Sequence, residues 1–292
     1  MNIPLYIQYD NKKLTDGFGA QGLRIVGLYT VAKAFKLKYL HQGISEISDR
    51  VELTGPDGDE PKYRQVLEEM NQFLAFDSHA DLTNLKLSRT VFIHNLGFRI
   101  LFKYIVLSFL RPNQYLLKVL LPFGIVDRFP ILYRFSRKDI QCIISKRKRG
   151  SRKIGNVVHV RSSEHSPDKM RPQLGPSYFE ELIFSGRYPC LPGRGWIIHT
   201  DFYSSDFSQT IKTERSRKFV SLFERFRKDE IFTVNHYASI GTVFSDMVHA
   251  DLLIMSRSAL SYLAGIFCVG EVVYPSIHGH AKLPGWKVEI PK

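Results

Sequence analysis

The second half of the chain is a series of short, unbroken hydrophobic runs, each stopping at a polar residue. Val157-Val158-His159-Val160 ends at Arg161, Trp196-Ile197-Ile198-His199 ends at Thr200-Asp201, and Leu252-Leu253-Ile254-Met255 ends at Ser256-Arg257-Ser258, with a shorter run at 232–235. Such runs are too short for helices and lack the alternation of a half-solvated strand, so they predict parallel strands buried on both faces. Helical spacing fills the intervals 177–185 and 212–228, and the turn from Ser256 to Tyr262 opens a helix through Phe267 before a closing strand at 272–275. Strands and helices in alternation predict an α/β unit with a doubly wound parallel sheet.

The first half is less regular. A short strand at 5–8 leads to the glycine-rich turn Asp16-Gly17-Phe18-Gly19-Ala20-Gln21, a helix at 22–36 and a second strand at 38–41. The loop TGPDGDEP at 54–61 precedes an amphipathic helix at 63–76. From 96 to 133 the chain is apolar and aromatic yet keeps Arg99, Lys103, Arg111 and Lys118, and no stretch reaches the ~18 uncharged residues of a spanning helix. Core helices with solvated lysines are the commoner source of that pattern; cationic helices in peripheral contact with an anionic membrane are the other. The charge run SKRKRGSRK at 145–153 reads as a connection, which divides the chain into 1–150, an α/β domain with a helical apolar segment, and 151–292, a Rossmann-like domain.

A length of 292 residues accommodates two domains, and a hydrophobic fraction of 44% excludes disorder as the default. Cys142, Cys190 and Cys268 are far apart and form no CxxC pair, so neither a zinc site nor a disulfide framework is indicated. The start MNIPLYIQYDNKK has no apolar core behind a basic leader, which gives the expectation of a cytoplasmic protein, at most peripheral to a membrane. The net charge of +13 favours anionic partners, among which nucleic acid, anionic lipid and sugar nucleotides all qualify. No aromatic-interleaved RNA module or zinc knuckle is present, so nucleic acid is not expected.

In open α/β sheets ligands bind beyond the carboxyl ends of the strands. His159 and Arg161 stand there, two residues apart and therefore on one face of their strand. A planar guanidinium suits a diphosphate, whose charge grows as it leaves. An isolated HxR is more often an inward histidine satisfied by hydrogen bonds beside an arginine in an ordinary surface ion pair, so alone the motif is weak. The DGFGAQ turn lacks the spacing of GxGxxG or of a P-loop and by itself is generic tight-turn chemistry.

In order along the chain, DGFGAQ, HVR and ADLLIMSRSALSYLAG resemble motifs of the fucosyltransferase superfamily that includes α-1,2-, α-1,6- and protein O-fucosyltransferases. The resemblance implies a GT-B fold, two Rossmann-like domains facing a cleft, and a GDP-sugar donor used without an essential metal or further cofactor. It implies that Arg161 binds the diphosphate and acts catalytically, and that His159 lies near guanine and ribose. Asp251, Ser256, Ser258 and Ser261 fall in the closing donor motif, Asp246 is the nearest candidate for a guanine-reading aspartate, and Asp16, Gly17, Gly19 and Gln21 form an acceptor-side turn. The chain departs from the pattern where Ser162-Ser163-Glu164 follows Arg161, leaving Arg171 or Arg257 as second cations, and where Ala259 replaces a serine. The reading that results is an inverting, metal-independent fucosyltransferase of polysaccharide biosynthesis with a glycan or glycolipid acceptor. Glu164 or Asp168 would take the acceptor proton. The alternative is a noncatalytic nucleotide-sugar or glycan-binding protein on the same fold.

Overall fold

Each half of the chain builds its own all-parallel sheet in the computed structural model, which describes residues 3–10, 17–47, 60–78, 89–112, 115–146, 154–161, 174–200, 214–235 and 238–291. The two compact units are Met1–Lys148 and Arg149–Lys292.

In the first unit the strands β1 (Tyr6–Tyr9), β2 (Lys38–Leu40), β3 (Arg89–Asn95) and β4 (Tyr115–Leu121) lie in the order β2-β1-β4-β3. Its central helix α1 (Phe18–Ala34) is buried almost all round. Two hydroxyls on it are paired within the unit: Thr30 Oγ1 shares a 2.8 Å hydrogen bond with Ser136 Oγ, and the Tyr29 hydroxyl donates to Asp139 at 2.8 Å. Gly27 admits Pro122, since a Cβ there would stand 2.9 Å from its ring. The helix α2 (Glu60–Phe73) follows, and Asn71 just inside its end takes the Ile44 amide at 2.7 Å.

The apolar stretch 96–133, read from sequence as helical, divides instead into helix α3 (Phe98–Leu110), strand β4, the short helix α4 (Phe123–Val126) and a 3-10 turn at Pro130–Phe135, before α5 (Arg137–Ser145). Pro112 removes an amide and disfavours helix in Arg111, so α3 stops there. The seven residues YLLKVLL then have strand length and are buried between β1 and β3. Nor is α3 a core helix, for it buries only Leu101 and Ser108. Among the described residues no helix is long and apolar enough to cross a membrane.

The second unit runs β5 (Asn156–Val160), α6 (Pro176–Phe184), β6 (Trp196–Thr200), α7 (Glu214–Arg227), β7 (Phe232–Asn235), α8 (Ile240–Val248), β8 (Leu252–Ile254), α9 (Ala259–Phe267), β9 (Glu271–Pro275) and β10 (Lys287–Glu289). The strand order is β10-β9-β8-β5-β6-β7. From β5 the chain builds outward to β7 on one side, then crosses to β8 and builds outward to β10, which makes the β5/β8 boundary a topological switch point. Val158, Val160 and Ile198 pack with Phe179, Leu182, Phe219, Phe223 and Phe226 of α6 and α7. The opposite parity, His159 and His199, meets side chains of α8 and α9. The sheet does not close at β9 as the sequence suggested; β10 adds an edge, tied back where Arg187 and Tyr188 bind Glu289 at 3.0 and 2.7 Å.

Candidate functional site

At the carboxyl ends of β5 and β8 the structure gathers His159, Ser256, Ser261 and the start of α9. His159 Nδ1 lies 2.5 Å from Ser261 Oγ and 3.0 Å from Ser256 Oγ, and the two hydroxyls are 3.0 Å apart. All three residues are buried. A histidine inside a buried strand needs a polar partner from the covering helix, and α9 supplies it in its first turn. Burial first, then the positive charge of Arg161 and the neighbouring His199, push the His159 pKa down to about 3. The imidazole is therefore neutral near pH 7 and acts as a hydrogen-bonding group.

Arg161 follows at once and is half-buried, near enough for its charge to act on His159. Ser258, in extended conformation, caps α9 by accepting from the Leu260 amide at 3.2 Å. Its hydroxyl is thereby used, while the helix start keeps the outward amides that favour an anion. The Ser258 carbonyl accepts from His278 Nε2 at 3.3 Å, which pins the segment after β9 to the same edge.

His199 is the residue that sequence reasoning missed. It pairs in register with His159 on adjacent parallel strands, is 1% exposed, and its Nε2 lies 3.1 Å from Asp246 Oδ2 on α8. Asp246, expected at the donor, is thus held by the histidine layer beside the cluster. Both strands carry a histidine next to last, in VVHV and WIIHT, and that repeat was the available signal.

Asp251 is not brought to this edge. It precedes β8 at the amino end, where it pairs with Arg194, donates its amide to the Gly155 carbonyl at 3.1 Å and accepts from the Glu271 amide at 2.9 Å. The five residues to Ser256 span about 16 Å of extended chain at ~3.3 Å each. Its place in the fold is to tie strand starts together. Glu164, Asp168 and Asp16 lie outside the described residues. In the first unit Gly17 caps α1 without a side chain, Gly19 is buried in its first turn, and Gln21 Nε2 donates to the Glu46 carbonyl at 2.7 Å.

No family model matches the chain, and no curated protein matches its sequence. The solved structure of POFUT1 in complex with GDP covers 100% of this chain and 99% of its own, with 11% identity and a TM-score of 0.50. The fold is of the GT-B type. At that identity the likeness to a GT-B glycosyltransferase is one of fold alone. POFUT1 with GDP-fucose, at 12% identity over 99% of this chain and 98% of its own, and E. coli heptosyltransferase WaaC with ADP-2-deoxy-2-fluoro heptose, at 12% over 98% and 93%, both have TM-scores of 0.41 and add nothing to the GT-B assignment.

Proposed function

We propose that this protein is an inverting, metal-independent glycosyltransferase that moves fucose from GDP-fucose to a glycan or glycolipid acceptor. The observation that carries the reading is the switch-point cluster, in which a neutral buried imidazole, two serine hydroxyls, a helix start and a guanidinium share one edge of a GT-B sheet. A diphosphate leaving C1 of the sugar takes the bonding electrons with it, and Arg161 with the amides opening α9 is suited to stabilise the charge that develops. His159, neutral, offers a hydrogen bond to the nucleoside without adding repulsion to Arg161. The acceptor hydroxyl attacks C1 from the opposite face and gives its proton to a carboxylate, for which Glu164 and Asp168 are the sequence candidates.

Calorimetry of the whole chain with GDP, GDP-fucose, UDP and ADP tests the donor, and Arg161→Ala with Arg161→Lys tests the site. GDP and GDP-fucose are expected to bind selectively. A charge-assisted hydrogen bond contributes roughly 1.5 to 3 kcal/mol, so Arg161→Ala should weaken GDP by about tenfold to a few hundredfold and abolish transfer, with lysine restoring only part. Near-native GDP affinity in a folded alanine variant refutes the assignment. Tight GDP-fucose binding without turnover on any glycan would favour the noncatalytic nucleotide-sugar-binding reading.

A further inference from the structure

Helix α3 is 13 residues, about 20 Å long at ~1.5 Å per residue. It is held by a narrow inner stripe: Leu101 and Ser108 are buried, Phe98 meets Phe35 and Phe129 edge-on at 5.8 and 4.9 Å, and Tyr104 meets Tyr115 at 5.7 Å. The outward face carries Phe102, Val106 and Phe109 at i, i+4 and i+7, joined by Leu110, with exposures of 68, 45, 56 and 74%. One helical face bearing four such residues is an apolar patch, and patches of that kind mark interaction sites.

The charge around the patch identifies its partner. Arg99, Lys103 and Arg111 flank the apolar residues, all exposed, and among the described residues none pairs with a carboxylate. From Leu82 to Val126 the sequence contains no Asp or Glu, while Lys86, Arg89, Arg99, Lys103, Arg111 and Lys118 supply cations. A two-fold contact between copies of this chain through α3 would set Arg99, Lys103 and Arg111 against their own copies, which like-charge repulsion opposes. An anionic lipid surface satisfies both components at once: acyl boundary for the aromatics and aliphatics, headgroup phosphates for the guanidinium and ammonium groups.

We propose that α3 is a membrane-docking helix, lying flat on an anionic bilayer with Phe102, Val106, Phe109 and Leu110 entering the boundary between headgroups and acyl chains. The proposal stands independently of the donor reading, because it uses no residue of the switch-point cluster. Flotation of the whole chain with vesicles tests it. Binding to mixed phosphatidylglycerol and phosphatidylcholine vesicles should be about tenfold or more stronger than to phosphatidylcholine alone, and should fall as salt rises. The double variants Phe102→Ser/Phe109→Ser and Arg99→Glu/Lys103→Glu should each lose binding by about tenfold or more. Melting temperature and GDP affinity should stay unchanged, since all four side chains are exposed. Equal binding to both vesicle types, or variants that bind like the parent, overturns the proposal. So does a solution dimer that dissociates on Phe102→Ser/Phe109→Ser, which would give the face to a second copy of the chain, and so does loss of RNA binding in the charge-reversed variant without loss of lipid binding.

Discussion

Replacing His159 by glutamine should remove much of the acid sensitivity of the second unit. In the folded chain this histidine resists protonation down to about pH 3 because it is buried, because Arg161 stands beside it and because His199 lies next to it. In the unfolded chain its pKa returns to 6.5. Between those values the unfolded state holds more protons, so stability present above pH 6.5 is lost as pH falls towards 3. Linkage over that interval, at about 1.4 kcal/mol per pH unit, gives a loss of about 2 kcal/mol between pH 7.5 and 5.0 from this one group. Glutamine keeps a hydrogen-bonding group for Ser256 and Ser261 and takes up no proton. Both tryptophans, Trp196 and Trp286, lie in the second unit, so fluorescence-monitored urea unfolding reports on it selectively. Parent and variant should each be unfolded at pH 7.5 and 5.0, and the parent should lose about 2 kcal/mol more than the variant over that interval. Other groups, His41 among them with its pKa lowered by burial, cancel in the difference. An equal loss in both proteins would show that His159 is not buried neutral, and the hydrogen-bonded cluster described above would fall with it.

Gly195→Ala would drive a Cβ into the Ile231 carbonyl oxygen, and the strand starts cannot yield without losing the amide that Trp196 donates to that same oxygen; a destabilisation of about 2 to 3 kcal/mol is expected in the same urea assay, and an unchanged midpoint would contradict the close approach. If Arg161 and the amides opening α9 carry the diphosphate charge as proposed, transfer from GDP-fucose should persist in excess EDTA; loss of transfer restored by manganese would overturn the metal-independent reading.

The second sheet was legible because its central strands are buried on both faces, and such strands leave continuous apolar runs in the sequence. Its edge was not: Lys287-Val288-Glu289 is short, largely exposed and polar, with nothing to distinguish it from a loop. Helix α8 escaped for another reason, since IGTVFSDMV carries a glycine and β-branched residues of low helix propensity; its N-terminus is fixed by Ser239, whose hydroxyl accepts from Thr242 at 3.2 Å. In the first unit β4 was hidden by its leucines. A buried seven-residue run rich in leucine has no periodicity that separates strand from helix, and only the proline before it marks the change.

The site was legible residue by residue and illegible as a layer. His159 stood out because it interrupts an apolar run, and the serines because they end another, but nothing in one run says what lies beside it. Parallel register decides that. His159 pairs with His199, and each must find a polar partner from the helix covering that face. Helix α9 gives Ser261 to the first and α8 gives the half-buried Asp246 to the second, so residues scattered from 159 to 261 become one polar layer under the switch point. Asp251 marks the opposite case. It adjoins β8 in sequence, yet a residue at the amino end of a parallel strand cannot reach a ligand at the carboxyl end, and its pairing with Arg194 serves the strand starts. Position along the strand, more than membership of a motif, sorts these side chains between holding the sheet and meeting a ligand.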